Sequence, residues 1–219
     1  MLKSNPSSGY PPEEGRYIRG NDFSPVAVAI ILNAPDYKIP HELQELVQAG
    51  IDGGAALSGM VQTENIGIEK IVCNVVSNPN IRYLVIGGPE SEGHLTGEAL
   101  KAFLLNGLDD RRRIVGTKAP VPLLLNLPVE YIDRFRKQLS IIDLQYQGDP
   151  GLLKNAVLAC CQEKNIGPYP EPPLSGAITW RITQPWTEPT DEKEREARKR
   201  AEELQKRLRE RSKKGGEII

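Results

Sequence analysis

The run Val26-Ala27-Val28-Ala29-Ile30-Ile31-Leu32 is apolar without a break. A strand that keeps one face in water alternates polar and apolar residues, so a strand with no polar residue must be covered on both faces. A second run, Arg82-Tyr83-Leu84-Val85-Ile86, stops abruptly at Gly87-Gly88-Pro89. Helical periodicity fills the spaces between. Residues 41–49 read as a short helix closed by Gly50, and Ala55-Ala56-Leu57 as a second strand. In residues 63–76, Ile68, Ile71, Val72 and Val75 fall on one helical face, and Asn78-Pro79 stops the pattern. Another helix starts near Thr96 and carries Leu100, Phe103 and Leu104. Arg113-Ile114-Val115 is expected as a strand, 129–139 as a helix, 141–144 as a strand, and Leu153, Ala156, Val157 and Cys160 as a last helix face. Strands alternating with helices of this length predict βαβ units. The fold class is therefore α/β: a Rossmann-like, open, mainly parallel sheet with helices on both faces.

Composition narrows the function. With 28 Lys+Arg against 29 Asp+Glu in 219 residues, the net charge of −1 gives no general attraction to nucleic acid or anionic lipid. Three cysteines, two of them adjacent, build neither a disulfide framework nor a zinc site. No apolar run is long enough to cross a membrane. Residues 1–23, rich in Pro, Ser and Gly, are expected as an extended arm, and residues 24–165 as the folded domain. Residues 166–190 read as a Pro-rich linker and 191–219 as a charged helical tail, with 11 Lys/Arg against 7 Asp/Glu over 191–214. The apolar stripe of that tail, Ala197, Ala201, Leu204 and Leu208, is too short for a coiled coil.

Ligands of open α/β sheets sit beyond the carboxyl ends of the strands. The usual phosphate cradles and the G-x-S-x-G elbow are missing there. The conspicuous loop is instead Gly87 to Gly97, which follows the second long strand and contains His94. One histidine cannot by itself hold zinc or non-haem iron. It can be the single axial ligand of a metal already held by a macrocycle, a general acid/base, or a surface residue at a helix start. His41, beside Pro40, reads as structural. Two further loops complete the edge, one from Ser58 to Asn65 and one from Gly116 to Pro122.

The segments Ser58-Gly59-x-x-Gln62-Thr63-Glu64-Asn65-Ile66-Gly67, Gly87-Gly88-Pro89-Glu90 leading to Gly93-His94, and Leu123-x-x-Asn126-Leu127-Pro128, with the Tyr10-Pro-Pro arm, occur in that order. Together they resemble the A subunit of tetrahydromethanopterin S-methyltransferase over roughly residues 10–165. That resemblance implies a cobalamin-type corrinoid whose cobalt takes His94 as its lower axial ligand. It also implies cofactor contacts from Ser58, Gly59, Gln62, Thr63, Glu64, Gly88, Pro89, Glu90, Gly93, Leu95 and Thr96. Gly116, Thr117, Ala119 and Pro120 are added from the third ligand-edge loop. The family's cobalt accepts a methyl group from methyl-tetrahydromethanopterin and passes it toward coenzyme M. The implied partners are the methyltransferase subunits that catalyse the two half-reactions, and the implied location faces the cytoplasm. A ligating imidazole needs an acceptor for its other N–H, and Glu92 or Glu90 is nearest in sequence. The family's apolar anchor is not matched by Lys213-Lys214-Gly215-Gly216. Two alternatives stay open: a soluble carrier serving another methyltransferase pair, or a nucleotide-ligand enzyme using His94 as acid/base. A third, an interaction protein acting through the 191–214 helix, leaves the loop constellation unexplained.

Overall fold

The computed structural model describes residues 3–34, 38–163 and 166–174. The expectations for the charged tail and most of the Pro-rich linker lie outside these residues. In chain order the elements are β1 (Tyr17–Arg19), β2 (Val26–Ile31), α1 (His41–Asp52), β3 (Leu57–Val61), α2 (Ile66–Val76), β4 (Tyr83–Gly88), α3 (Thr96–Asn106), α4 (Val129–Gln138), β5 (Ser140–Gln145) and α5 (Pro150–Cys161). The strands form one sheet in the order β1-β3-β2-β4-β5, with only the β1–β3 pair antiparallel. This is the α/β architecture that the apolar runs predict.

The fully buried β2 lies at the centre, as an unbroken apolar run requires. Val26, Val28 and Ile30 pack with α1 and α5 on one face. Ala27, Ala29 and Ile31 pack with α2, α3 and α4 on the other. The connection leaving β2 runs to α1 on the first face, whereas those leaving β3 and β4 run to α2 and α3 on the second. The carboxyl end of β2 is therefore the switch point at which open sheets of this kind take their ligands.

Three expectations change. Gly50 does not close α1 but sits inside it, where a Cβ would collide with the Ser58 hydroxyl of β3. The glycine is a packing residue, and the helix ends at Gly53. The second strand starts at Leu57 and runs through Ser58, Gly59 and Met60, which the sequence pattern assigns to a loop. Ser58 breaks the apolar pattern yet is tolerated at the centre, because its hydroxyl donates to the Val47 carbonyl at 2.7 Å. Finally, Arg113-Ile114-Val115 makes only isolated bridges, Leu108 with Ile114 and Arg113 with Leu123. The open edge of β4 is taken by β5 instead, and Ile114 is the one residue of the three that is buried.

The N-terminal arm is laid along the domain and contributes β1. Asn74 binds both backbone groups of Glu13, accepting its N–H at 2.8 Å and donating to its carbonyl at 2.9 Å. Asn80 clamps Ser4 in the same way. The described part of the Pro-rich stretch also docks: the Tyr169 N–H donates to Pro79, and the Arg134 guanidinium lies over the Tyr169 ring.

Gly88 ends β4 at φ +83°, and a Cβ there would stand 2.8 Å from the Ile31 carbonyl oxygen. Gly88→Ala is expected to cost about 1–3 kcal/mol of unfolding free energy. Urea denaturation measures it, and an unchanged midpoint would show that β2 and β4 are not held this closely.

Candidate functional site

The β4–α3 loop has no conventional N-cap. Leu95 occupies that position in the left-handed region at φ 50°, without a side-chain cap. The free N–H groups of the first turn are met from further back. The Ser91 hydroxyl oxygen accepts from Thr96 N at 3.0 Å, and the Glu90 carboxylate accepts from Gly97 N at 2.8 Å and Glu98 N at 2.9 Å. Gln145, at the end of β5, donates its amide to the same carboxylate at 3.0 Å. Burial acts to raise the Glu90 pKa, but these hydrogen bonds outweigh it and hold the carboxyl below its ordinary value. The loop that carries His94 is thus fixed at both ends, with His94 N and Leu95 N donating to the Ser91 carbonyl.

His94 projects from this frame with its side chain 47% exposed, and its Nδ1 lies 2.8 Å from Glu64 Oε2. Glu64 follows β3 and is 1% exposed. A carboxylate only accepts, so Nδ1–H donates and the neutral ring carries its lone pair on Nε2. The second carboxylate oxygen, Oε1, accepts from Val121 N at 2.9 Å. The Thr96 hydroxyl donates to the Gln62 carbonyl at 2.8 Å, a second tie between the two loops. The loop after Gly116 is drawn in by α3: Glu98 Oε1 accepts from the Thr117 hydroxyl at 3.1 Å and Lys118 N at 2.6 Å.

The structure therefore gathers Gln62, Glu64, His94 and Thr96 directly, with Glu90 and Leu95 behind them. Gly88 and Pro89 lead into this loop, and Gly93, at φ +83° with open space around it, lets the chain turn before His94. Thr117, the buried Ala119 and the exposed Pro120 lie on the third loop, which Gly116 enters at φ +84°. Thr63 is turned to α2, where its hydroxyl accepts from Gly67 N at 3.0 Å. Ser58 stands apart, buried beneath α1, and Gly59 is paired with Tyr17 of β1. The partner of His94 is Glu64 and neither of the nearby acids: Glu90 is engaged by α3, and Glu92 is exposed. Sequence reasoning misses Ser91, Glu98, Val121 and Gln145. Ser91, inside the Gly-rich loop, and Val121, inside the loop from Gly116 to Pro122, carry a local signal; Glu98 and Gln145 do not. Among the described residues no three His, Cys, Asp or Glu side chains gather as a metal cluster, and no helix is long and apolar enough to cross a membrane.

The family model that describes the A subunit of tetrahydromethanopterin S-methyltransferase matches residues 3–179. Form 1 of this A subunit from Methanothermobacter thermautotrophicus is 38% identical over 170 residues, 77% of this chain and 66% of that protein. The A subunit from Methanococcus aeolicus is 41% identical over 173 residues, covering 78% of this chain and 68% of its own length. Form 2 from Methanothermobacter thermautotrophicus is 39% identical over 176 residues, 80% of this chain and 90% of that relative. The match to form 1 thus spans just under two-thirds of that relative's length.

Because the folded state lowers the Glu90 pKa, its contribution to stability is present above the ordinary carboxyl range and is lost as pH falls through it. Glu90→Gln is expected to lower stability by about 1 kcal/mol at neutral pH. The difference from the unsubstituted protein closes below about pH 4. Denaturation at a series of pH values measures this, and a gap independent of pH would mean that the charge on Glu90 plays no part.

Proposed function

This chain belongs to the family of the tetrahydromethanopterin S-methyltransferase A subunit, and we propose that it binds a cobalamin-type corrinoid and serves as a methyl carrier. The single observation that carries this reading is the His94–Glu64 pair, a half-exposed imidazole backed by a buried carboxylate at the switch point of the sheet. The donor set suits a macrocyclic metal. One imidazole is offered, half-exposed and with Nδ1 taken by Glu64, and the other coordination positions would be supplied by the ring. His94 would hold the cobalt through Nε2. When bound, the corrinoid supplies a cobalt that takes up and gives away a methyl group, which is the cofactor's own chemistry.

The chain does the positioning. Glu64 keeps a hydrogen on Nδ1 and so presents Nε2 as the donor atom, the role that outer carboxylates play behind ligating histidines. The fixed loop from Gly88 to Thr96 sets the height of the ring above the sheet, and Gly93 leaves room beside it. We take methyl-tetrahydromethanopterin as methyl donor and coenzyme M as acceptor, each handled by a partner methyltransferase subunit. These assignments extend the family relationship to an assembly around this chain, facing the cytoplasm. An imidazole backed by a carboxylate also suits a general base. Here no serine or cysteine hydroxyl or thiol stands within hydrogen-bond reach of His94 among the described residues, so no nucleophile accompanies it.

Aquocobalamin added to the purified chain is expected to bind one to one, with a visible spectrum showing imidazole ligation. His94→Ala replaces that spectrum with one of water ligation, and an identical spectrum in the variant would sink the axial assignment. Glu64→Gln keeps the imidazole but removes the carboxylate charge behind it. Its affinity for the corrinoid is expected to fall about 10- to 100-fold, as read by equilibrium titration.

A further inference from the structure

Glu98 lies in the first turn of α3, but its carboxylate serves the connection from α3 to α4. The helix start does not depend on that side chain, because Ser91 and Glu90 meet the first free N–H groups, that of Glu98 included. Glu98 Oε1 instead accepts from the Thr117 hydroxyl at 3.1 Å and from Lys118 N at 2.6 Å. The Thr117 hydroxyl oxygen accepts in turn from Ala119 N at 3.1 Å. One carboxylate oxygen thus fixes the stretch from Thr117 to Ala119.

The next hydrogen bond along the connection belongs to Glu64. Between Lys118 and Val121 stand Ala119, which is 1% exposed, and Pro120, whose ring locks its φ. So short and stiff a segment passes on a displacement at one end and does not absorb it. The Val121 N–H lies in the peptide plane shared with Pro120, so its direction follows the upstream chain, the part that Glu98 holds. That N–H donates to Glu64 Oε1 at 2.9 Å, while Glu64 Oε2 lies 2.8 Å from His94 Nδ1. The downstream end is fixed separately, with Ile114 N donating to the Pro122 carbonyl at 2.9 Å.

We propose that Glu98 is a positioning residue for His94: by holding Thr117 and Lys118 it aims the Val121 N–H at Glu64, and so sets the carboxylate that keeps the imidazole hydrogen on Nδ1. When the Val121 donor is lost, the buried Glu64 carboxylate has one oxygen without a partner. It turns to find another, and that rotation withdraws Oε2 from Nδ1. The imidazole then carries its hydrogen on Nε2, the form an unconstrained ring favours, and Nε2 has no lone pair to offer. This placement stands on the protein alone, and only its consequence for a bound cobalt rests on the corrinoid reading above.

Proton–nitrogen correlation spectra of the full chain, without any corrinoid, read which ring nitrogen carries the hydrogen at about pH 8.5, well above the ordinary imidazole range. The other histidine, His41, is exposed and serves as an internal reference. The unsubstituted chain is expected to show His94 mainly with its hydrogen on Nδ1. Glu98→Ala is expected to move the ratio toward Nε2–H by about fivefold. Glu98→Gln keeps the original ratio, because its amide oxygen still accepts from Thr117 and Lys118. A residue that only stabilised the fold would lower the denaturation midpoint and leave the tautomer where it was. Thr117→Val, which removes one of the two donors, is expected to shift the ratio the same way by a smaller amount. It decides the matter if Glu98→Ala does not fold. An unchanged ratio in the deciding variant, or Glu98→Gln behaving like Glu98→Ala, overturns the proposal and leaves the His94–Glu64 pair intact. Hydrogen mainly on Nε2 in the unsubstituted chain overturns the pair as well. Failure to bind aquocobalamin while Nδ1–H is retained overturns only the corrinoid reading.

Discussion

A carboxylate buried to 1% exposure is an expensive thing to leave unpaired. Glu64 avoids that cost by giving one oxygen to His94 Nδ1 and the other to Val121 N. The loop after β3, the loop after β4 and the long connection from α3 to α4 are therefore tied at one point. Displacing any of the three exposes or orphans the charge held between them. Related arrangements recur along the same connection: Glu69 of α2 accepts from both the N–H and the side-chain amide of Asn126, and Glu98 of α3 accepts from Thr117 and Lys118. Residues 107–128 form no strand of the sheet, so their backbone N–H groups need acceptors from elsewhere, and these carboxylates supply several. Burial pushes the Glu69 carboxyl above its ordinary value, with the Asn126 hydrogen bonds opposing that shift.

Much of this is legible in the sequence, for physical reasons that can be separated. The strands β2 and β4 announce themselves because burial on both faces removes polar residues from a run, whereas β5, an edge strand with Ser140 and Asp143 exposed, shows only the short apolar pair Ile141-Ile142. The helices α2 and α3 do so because their apolar residues recur every three to four positions. The pattern misplaces β3 because Ser58 interrupts it, and that serine is tolerated only through a hydrogen bond to a helix whose position the sequence does not give. Residues 113–115 show the converse failure: β5 takes the edge of β4, and the β-type run makes only isolated bridges with Leu108 and Leu123.

The site divides in the same way. His94 stands out as one of two histidines, in the Gly-rich loop after the strongest strand. Glu64 is a candidate because it leaves a neighbouring strand. That the two are partners cannot be read off, because they are 30 positions apart and meet only when β3 and β4 lie on either side of β2. Proximity in sequence favours Glu90 and Glu92, and the fold reverses that order. It places Glu90 at the start of α3, where its charge meets the helix N-terminus.

The two faces of the sheet are built for different purposes. Under α1 and α5, β2 presents Val26, Val28 and Ile30. Under α2 it presents Ala27 and Ala29, beside Gly59 of β3. Alanine in place of valine gives up apolar burial of about 0.8 kcal/mol for each methylene-sized group lost, so the second face forgoes stability that the same backbone could have had. The asymmetry is offset nearby. Asn74 and Asn80 bind the arm through paired backbone contacts, and β1 hydrogen-bonds to the edge of β3. An arm held only to lengthen the sheet would need the strand pairing alone. Amide clamps on Glu13 and Ser4 extend the attachment well beyond the strand. These paired contacts, together with the three-residue strand, explain why an N-terminal stretch of Pro, Ser and Gly lies against the domain.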